Sequence, residues 1–360
     1  MARSVDHLKV YEIPAHLPYM NSFLAPLVIT KESVINFSPP MILIMSAVSF
    51  LPILWAYALW ITSSQALGIS AIVLYLRGVR KFSIAETAIF CLIVANSLPS
   101  FCAVRTGQWS WWLVTFSIMF CYSYQKRSEV LSGIFLGGLL IKPQFALPLL
   151  VVAVTQKRWT TVITAICSFL VLNIAAGPLI GFENVISYPI ILSHLEGLPN
   201  IGVRGSWALS FRGMLEYLLG PLSAFSASVW LYYLALLLLY LFCSQKKIQK
   251  KENEPWLLAL AMLVGQIFAP VIFLYDATLI CVPAALTLPK ITPSKIMSLK
   301  PLSLLIWSLS LISYPFISWI SLVIPQNRNF YYAFVNSALL ICGWLLLFSR
   351  TKKEIISRID

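Results

Sequence analysis

Residues 130–156 read VLSGIFLGGLLIKPQFALPLLVVAVTQ, and the reading of the chain turns on one of them, Lys142. It is the only ionisable side chain in the stretch, and Pro143 follows it directly. Lys126-Arg127 precede the stretch and Lys157-Arg158 follow it. One membrane crossing needs about 20 apolar residues, so the run is too long for a single span. A lysine near the bilayer centre costs about 3 kcal/mol or more and therefore faces a cavity or a partner. Proline breaks a helix interior. The stretch thus reads as a broken hairpin that leaves and returns to one basic flank, with Lys142 at its apex. Each arm, about 13 residues, reaches ~20 Å, short of the ~30 Å hydrocarbon core. Irregular backbone at that depth is tolerated only inside protein or beside a wet cavity.

The rest of the chain fits the same solvent. Of its 360 residues, 59% are hydrophobic and 11% charged, and the mean hydropathy is +0.84. Soluble domains average about 25% charged residues, so this is an all-α, polytopic integral membrane protein. A net charge of +13 raises nucleic acid as a partner, but the basic residues are scattered at loop flanks, and membrane topology accounts for them. The seven cysteines lie almost entirely within apolar runs without metal-ligand spacing and read as small buried hydrophobes.

Single spans are expected at 52–76, 83–104, 108–125, 159–176, 221–244, 302–323 and 330–348. A second broken hairpin is expected at 256–289, interrupted near Pro270, and a shorter apolar run at 41–51 follows Pro39-Pro40. Six basic clusters, at 77–81, 126–127, 157–158, 246–251, 290–300 and 350–358, hold 18 of the 26 Lys and Arg. Placing them in the cytoplasm gives a positive-inside bias and about 11 membrane segments. The chain then reads as one transmembrane domain, 1–360, with a cytoplasmic tail at 350–360. The outer side collects 1–51, the loop at 105–108, the loop at 177–220, the 270–276 apex and 325–329. This topology puts the N-terminus outside, although the first 38 residues contain no spanning helix, so a first helix upstream of Met1 is expected.

Aspartate is scarce, present only at 6, 276 and 360. Asp276 falls at the second apex, where it can meet Lys142 either as a structural ion pair or as part of a polar site. Among the outer-side cations, Arg105, Lys142, Arg204 and Arg212 are suited to a phosphate, Arg through its planar fork and Lys through its compact charge. His7, His16 and His194 lack ligand spacing, so neither a metal nor another cofactor is expected.

At these residues the chain resembles glycosyltransferase family 87. Arg105-Thr106-Gly107-Gln108 resembles that family's Gly-Gln turn, and Ser132 to Pro143 resembles its small-residue helix ending in Lys-Pro. Asn36-Phe37-Ser38-Pro39-Pro40, Phe50-Leu51-Pro52 with Ala56 and Trp60, and Pro270 through Tyr275-Asp276 resemble three further elements. The likeness runs in order over most of 5–290. It implies a GT-C-type helical bundle, a multi-pass enzyme of the cell membrane. Such an enzyme moves a mannose-like sugar from a polyprenyl-phosphate donor to a lipid or glycan hydroxyl on the extracytoplasmic face, among membrane lipids and without nucleic acid. The family's catalytic acid precedes a tyrosine in the first outer loop. The matching run here is Val5 to Tyr11, with Asp6 as the base; the spacing to Tyr11 is one residue longer than in the family pattern. Tyr11, Gln108, Tyr275 and Asp276 would line the cavity, and Arg105, Lys142, Arg204 and Arg212 would meet the donor phosphate. A lipid-sugar transporter or flippase, or a polysaccharide polymerase or ligase, would use similar broken hairpins.

Cysteines introduced beside Arg105 and Asn327 are expected to react with an impermeant thiol reagent from outside the cell. Cysteines beside Lys126 and Lys247 are expected to react only after permeabilisation; the reverse pattern inverts the topology.

Overall fold

The computed structural model describes residues 37–195, 210–246 and 248–287. Among these residues the protein is helical and contains no strand. In chain order the helices are α1 (Pro39–Ser46), α2 (Ile53–Gly78), α3 (Ile84–Ala95), α4 (Leu98–Arg105) and α5 (Ser110–Gln125). They continue with α6 (Glu129–Leu139), α7 (Pro143–Thr155), α8 (Trp159–Ile180), α9 (Phe182–Leu195), α10 (Phe211–Leu219) and α11 (Pro221–Cys243). A short 3₁₀ turn, Lys251–Asn253, leads into α12 (Glu254–Phe268). A second 3₁₀ turn, Leu274–Ile280, leads into α13 (Cys281–Thr287).

Among the described residues, three helices are long and apolar enough to cross a membrane: Ile53–Gly78, Trp159–Ile180 and Leu222–Cys243. The 22 residues of α8 span ~33 Å at the helical rise, enough for the hydrocarbon core. The expected total of about 11 segments includes 302–323 and 330–348, which lie outside the described residues. Elsewhere several expected segments form shorter helices. Residues 108–125 give the 16-residue α5. The expected span 83–104 is two helices, Ile84–Ala95 and Pro99–Arg105, bent by 57°. The bend has a local cause. The Ser97 hydroxyl accepts from the Ser100 N–H and starts a new helix, and the proline in its first turn suits a start better than an interior.

The 177–220 segment, expected as a loop, is largely helical where it is described. Helix α8 continues through Pro178 to Ile180, the chain turns at Gly181 with φ +88°, and α9 follows with Pro189 inside it. Glycine supplies the left-handed backbone that the turn requires. Proline is a weaker helix breaker in a membrane protein, because neighbouring groups re-satisfy the freed carbonyl.

The core lies along α5, α7 and α12, where Leu113, Val114, Ile118, Phe120, Phe145, Leu149, Leu258 and Met262 are fully buried. Helix α6 packs closely on α8 through glycine: a Cβ on Gly133 would stand 2.4 Å from Thr164 Cβ, and one on Gly137 2.6 Å from Ser168 Cβ. Small residues serve helix association in lipid this way, because close backbone approach maximises dispersion contacts. The outward faces of α2, α8 and α11 carry Trp55, Leu170, Val171, Ile174, Trp230, Leu237 and Leu238, all exposed. Of the cysteines, Cys91, Cys121, Cys243 and Cys281 are buried, whereas Cys167 is exposed.

Hydrogen bonds gather several basic turns at one end of the bundle. Arg158 donates to Glu254 at 2.7 Å and to the Tyr124 carbonyl at 2.6 Å, with its guanidinium 3.6 Å from the Tyr124 ring centre. Arg127 meets the same Glu254 oxygen at 2.8 Å. Arg80 donates to the Leu286 carbonyl at 2.6 Å, and Gln249 donates to the Thr155 carbonyl at 3.0 Å. The non-glycine residues with left-handed backbone among the described residues are Lys81, Arg127 and Lys157, with φ of 58°, 63° and 57°. All three are basic, and each sits in a tight turn at this end.

Arg158 and Glu254 are both nearly inaccessible, so removing one charge strands the other. Glu254→Gln is expected to lower unfolding stability by about 3–5 kcal/mol, measured by thermal or denaturant unfolding in detergent.

Candidate active site

The far end of the bundle is built from two helix breaks. In the first, α6 ends at Leu139, and the Lys142 N–H closes a turn onto the Leu139 carbonyl at 3.0 Å. Pro143 has no N–H to continue the helix, but its fixed φ suits the first position of α7. The residue before a proline is pushed out of the helical region, and Lys142 accordingly sits at φ −118°, ψ 85°. In the second, α12 ends at Phe268, and Ala269 turns to extended backbone ahead of Pro270. The Leu274–Ile280 turn then carries Tyr275 and Asp276.

The two breaks meet. Lys142 Nζ donates to Asp276 Oδ1 at 2.7 Å and lies 5.3 Å from the centre of the Tyr275 ring. The Phe273 N–H donates to Asp276 Oδ2 at 3.2 Å. Asp276 is fully buried, while the lysine side chain keeps 19% of its surface. Gln144 Nε2 donates to the Val271 carbonyl at 3.2 Å, and Tyr232 of α11 donates to the Gln144 carbonyl at 2.8 Å. A Cβ on Gly265 would stand 2.7 Å from the Gln144 carbonyl oxygen, so α12 approaches this apex more closely than any side chain allows.

Helix α4 packs against the Leu274–Ile280 turn and carries Arg105 at its end. Arg105 is exposed. The turn after it is fixed by Gly107 at φ +66°, whose carbonyl accepts from Trp60 Nε1 at 3.1 Å. The Tyr57 hydroxyl donates to the Val104 carbonyl. Trp60 packs on Trp109 and Trp112 with ring centres 5.1 and 5.7 Å apart. Gln108 is half-buried, its N–H bonded to the Ala103 carbonyl at 2.9 Å.

Arg212, expected among the phosphate-binding cations, is buried. Its side chain is 2% exposed, lies 4.9 Å from the Phe225 ring centre and donates to the Pro270 carbonyl at 3.2 Å. Glu216 stands 3.9 Å away on the next turn. Phe211 beside it stacks on Phe268 at 5.3 Å. This guanidinium is engaged with the protein and braces the second apex. Asp6, Tyr11 and Arg204 lie outside the described residues. Sequence reasoning did not single out Gln144, Tyr232 or Gly265. Gln144 had a signal, since it follows Lys142-Pro143; Tyr232, inside an apolar run, had none.

A model of the family described as glycosyltransferase family 87 matches residues 37–274. The chain belongs to that family. It is therefore a membrane glycosyltransferase, as its apolar helices and family jointly indicate. No curated protein and no solved structure matches it. The matched stretch includes Arg105, Gln108, Lys142, Arg204 and Arg212, and it stops two residues short of Asp276.

Gly265→Ala places a methyl group against backbone that cannot swing aside. It is expected to cost about 1–3 kcal/mol of stability and to reduce glycosyl transfer although every polar side chain remains, checked by unfolding and activity on one preparation.

Proposed function

We propose that this glycosyltransferase moves a mannose-like sugar from a polyprenyl-phosphate donor to a hydroxyl of a lipid or glycan acceptor, on the extracytoplasmic face of the cell membrane. The observation that carries the reading is the partly exposed Lys142 ammonium where two broken hairpins meet, with the Arg105 helix packed on the same turn. An ammonium at membrane depth is costly even when paired, as Lys142 is with Asp276, and a charge kept there is by default a candidate for substrate contact. Lys142 and Arg105 are the groups proposed to receive the donor phosphate, Arg204 is proposed with them, and Arg212 supports the apex from behind. The gathering of basic turns at the opposite end favours this end as the extracytoplasmic one.

In this reading the acceptor hydroxyl attacks the sugar carbon while a carboxylate takes its proton. Family resemblance assigns that carboxylate to Asp6, with Tyr11 nearby. The sugar–phosphate bond breaks with its electron pair going to the phosphate oxygen, which needs little protonation. Fixed positive charge in a low-dielectric site stabilises the negative charge developing there. One base with direct displacement implies inversion at the sugar carbon. A bundle of GT-C type, with donor and acceptor entering from the lipid and from the outer surface, accommodates both substrates.

Transfer of radiolabelled mannose from a polyprenyl-phosphate donor to endogenous acceptors in inside-out and right-side-out vesicles tests the reading. Transfer is expected in one orientation only, and Asp6→Asn is expected to lower it about 10²- to 10⁴-fold. Movement of labelled lipid without any new glycosidic bond would favour a flippase, and full activity in Asp6→Asn would remove that residue from the chemistry.

A further inference from the structure

We infer that Asp276 is a positioning residue that aims the Lys142 ammonium at the donor phosphate, and that it is not a proton acceptor. The inference rests on the phosphate-binding reading of Lys142 above. Asp276 is turned into the protein: one oxygen accepts from the Lys142 ammonium at 2.7 Å, the other accepts from the Phe273 N–H at 3.2 Å, and the side chain is fully buried. A general base needs an oxygen within hydrogen-bond reach of its substrate's proton, and the Asp276 carboxylate has almost no surface on the open side, where its lysine partner stands.

Lys142 stands differently. Its ammonium has three N–H donors, and among the described residues one is used, on Asp276. The side chain keeps 19% of its surface against 1% for Asp276, so the pair presents its cation to the open side and its anion to the protein. The Tyr275 ring at 5.3 Å closes a further side of the ammonium. Asp276 thus fixes one of the three N–H directions, and the tetrahedral ammonium then fixes the other two. A lysine on a flexible four-carbon stem would otherwise search many rotamers, and positioning of this kind acts on the rate through geometry. The carboxylate is itself held by the Phe273 N–H within its own 3₁₀ turn, so the aim is set by backbone.

A structural ion pair is indifferent to which apex carries which charge, whereas an aimed ammonium is not. The test is the charge swap Lys142→Asp with Asp276→Lys in the full chain in detergent, using farnesyl phosphate as the probe and reading thermal midpoint and affinity together. Each single substitution is expected to lower the midpoint. The swap is expected to recover much of that loss yet bind farnesyl phosphate at least about tenfold more weakly than wild type, because a carboxylate now faces the phosphate. A swap that binds as wild type does overturns the inference. Asp276→Glu serves where the swap does not fold. It keeps the charge and shifts the ammonium by one methylene, and it is expected to lower kcat with the midpoint nearly retained; unchanged kcat and affinity overturn the inference equally. A wild-type protein that ignores farnesyl phosphate sinks the donor reading itself and this inference with it, a result distinct from a swap that binds normally.

Discussion

A helix interrupted inside a membrane leaves backbone groups that lipid cannot satisfy, and the remainder of this structure is arranged around that constraint. Each break meets its needs from the other. The first apex sends Lys142 to Asp276 and the Gln144 amide to the Val271 carbonyl. Arg212 reaches the Pro270 carbonyl from α10, and Tyr232 reaches the Gln144 carbonyl from α11. The two hairpins are therefore not independent elements that happen to touch. Each break is held by polar contacts from the other, so the site and the packing of the two hairpins depend on the same bonds.

The same two hairpins are joined again at the opposite end, where Glu254 at the start of α12 takes both Arg127 and Arg158. Buried ion pairs of this kind add little net stability over an apolar core, because desolvation offsets most of the attraction. What they supply is register. A pair at each end fixes how α12 lies along α7, and Gly265 sets how closely, through the near approach to Gln144. Sliding α12 by one turn would break both ionic contacts and drive a carbonyl into a methylene.

Much of this was legible from residue chemistry. One lysine as the sole ionisable residue of a largely apolar stretch, 130–156, followed by proline, locates the first break; the scarcity of aspartate singles out Asp276 as its partner, and the structure joins them at 2.7 Å. The helix ends at the basic turns were equally plain, because charge marks membrane boundaries. The bend at Ser97 was missed although Asn96-Ser97-Leu98-Pro99-Ser100 interrupts the apolar run and carries a helix start, a capping serine followed by a first-turn proline. Residues 177–195, expected within an outer loop, are helical apart from the turn at Gly181: Pro178 and Pro189, which punctuate a chain in water, lie inside α8 and α9. The charge of Arg212 was legible in the sequence, but its depth in the bundle was not. The base proposed from family resemblance, Asp6, lies outside the described residues.

The left-handed basic residues at the tight turns have a bearing on the protein's history as well as its shape. Lys81, Arg127 and Lys157 hold a backbone conformation in which glycine or asparagine would rest more easily, at about 1 kcal/mol each. A glycine would relax the turn but would remove a charge of the kind that biases which side of a bilayer a loop takes. The two demands act at different moments. The charge matters while the segments are being threaded into the membrane, and the conformational strain persists for as long as the protein exists. Three dihedral angles thus carry a small permanent conformational cost for side chains whose charge acts during insertion.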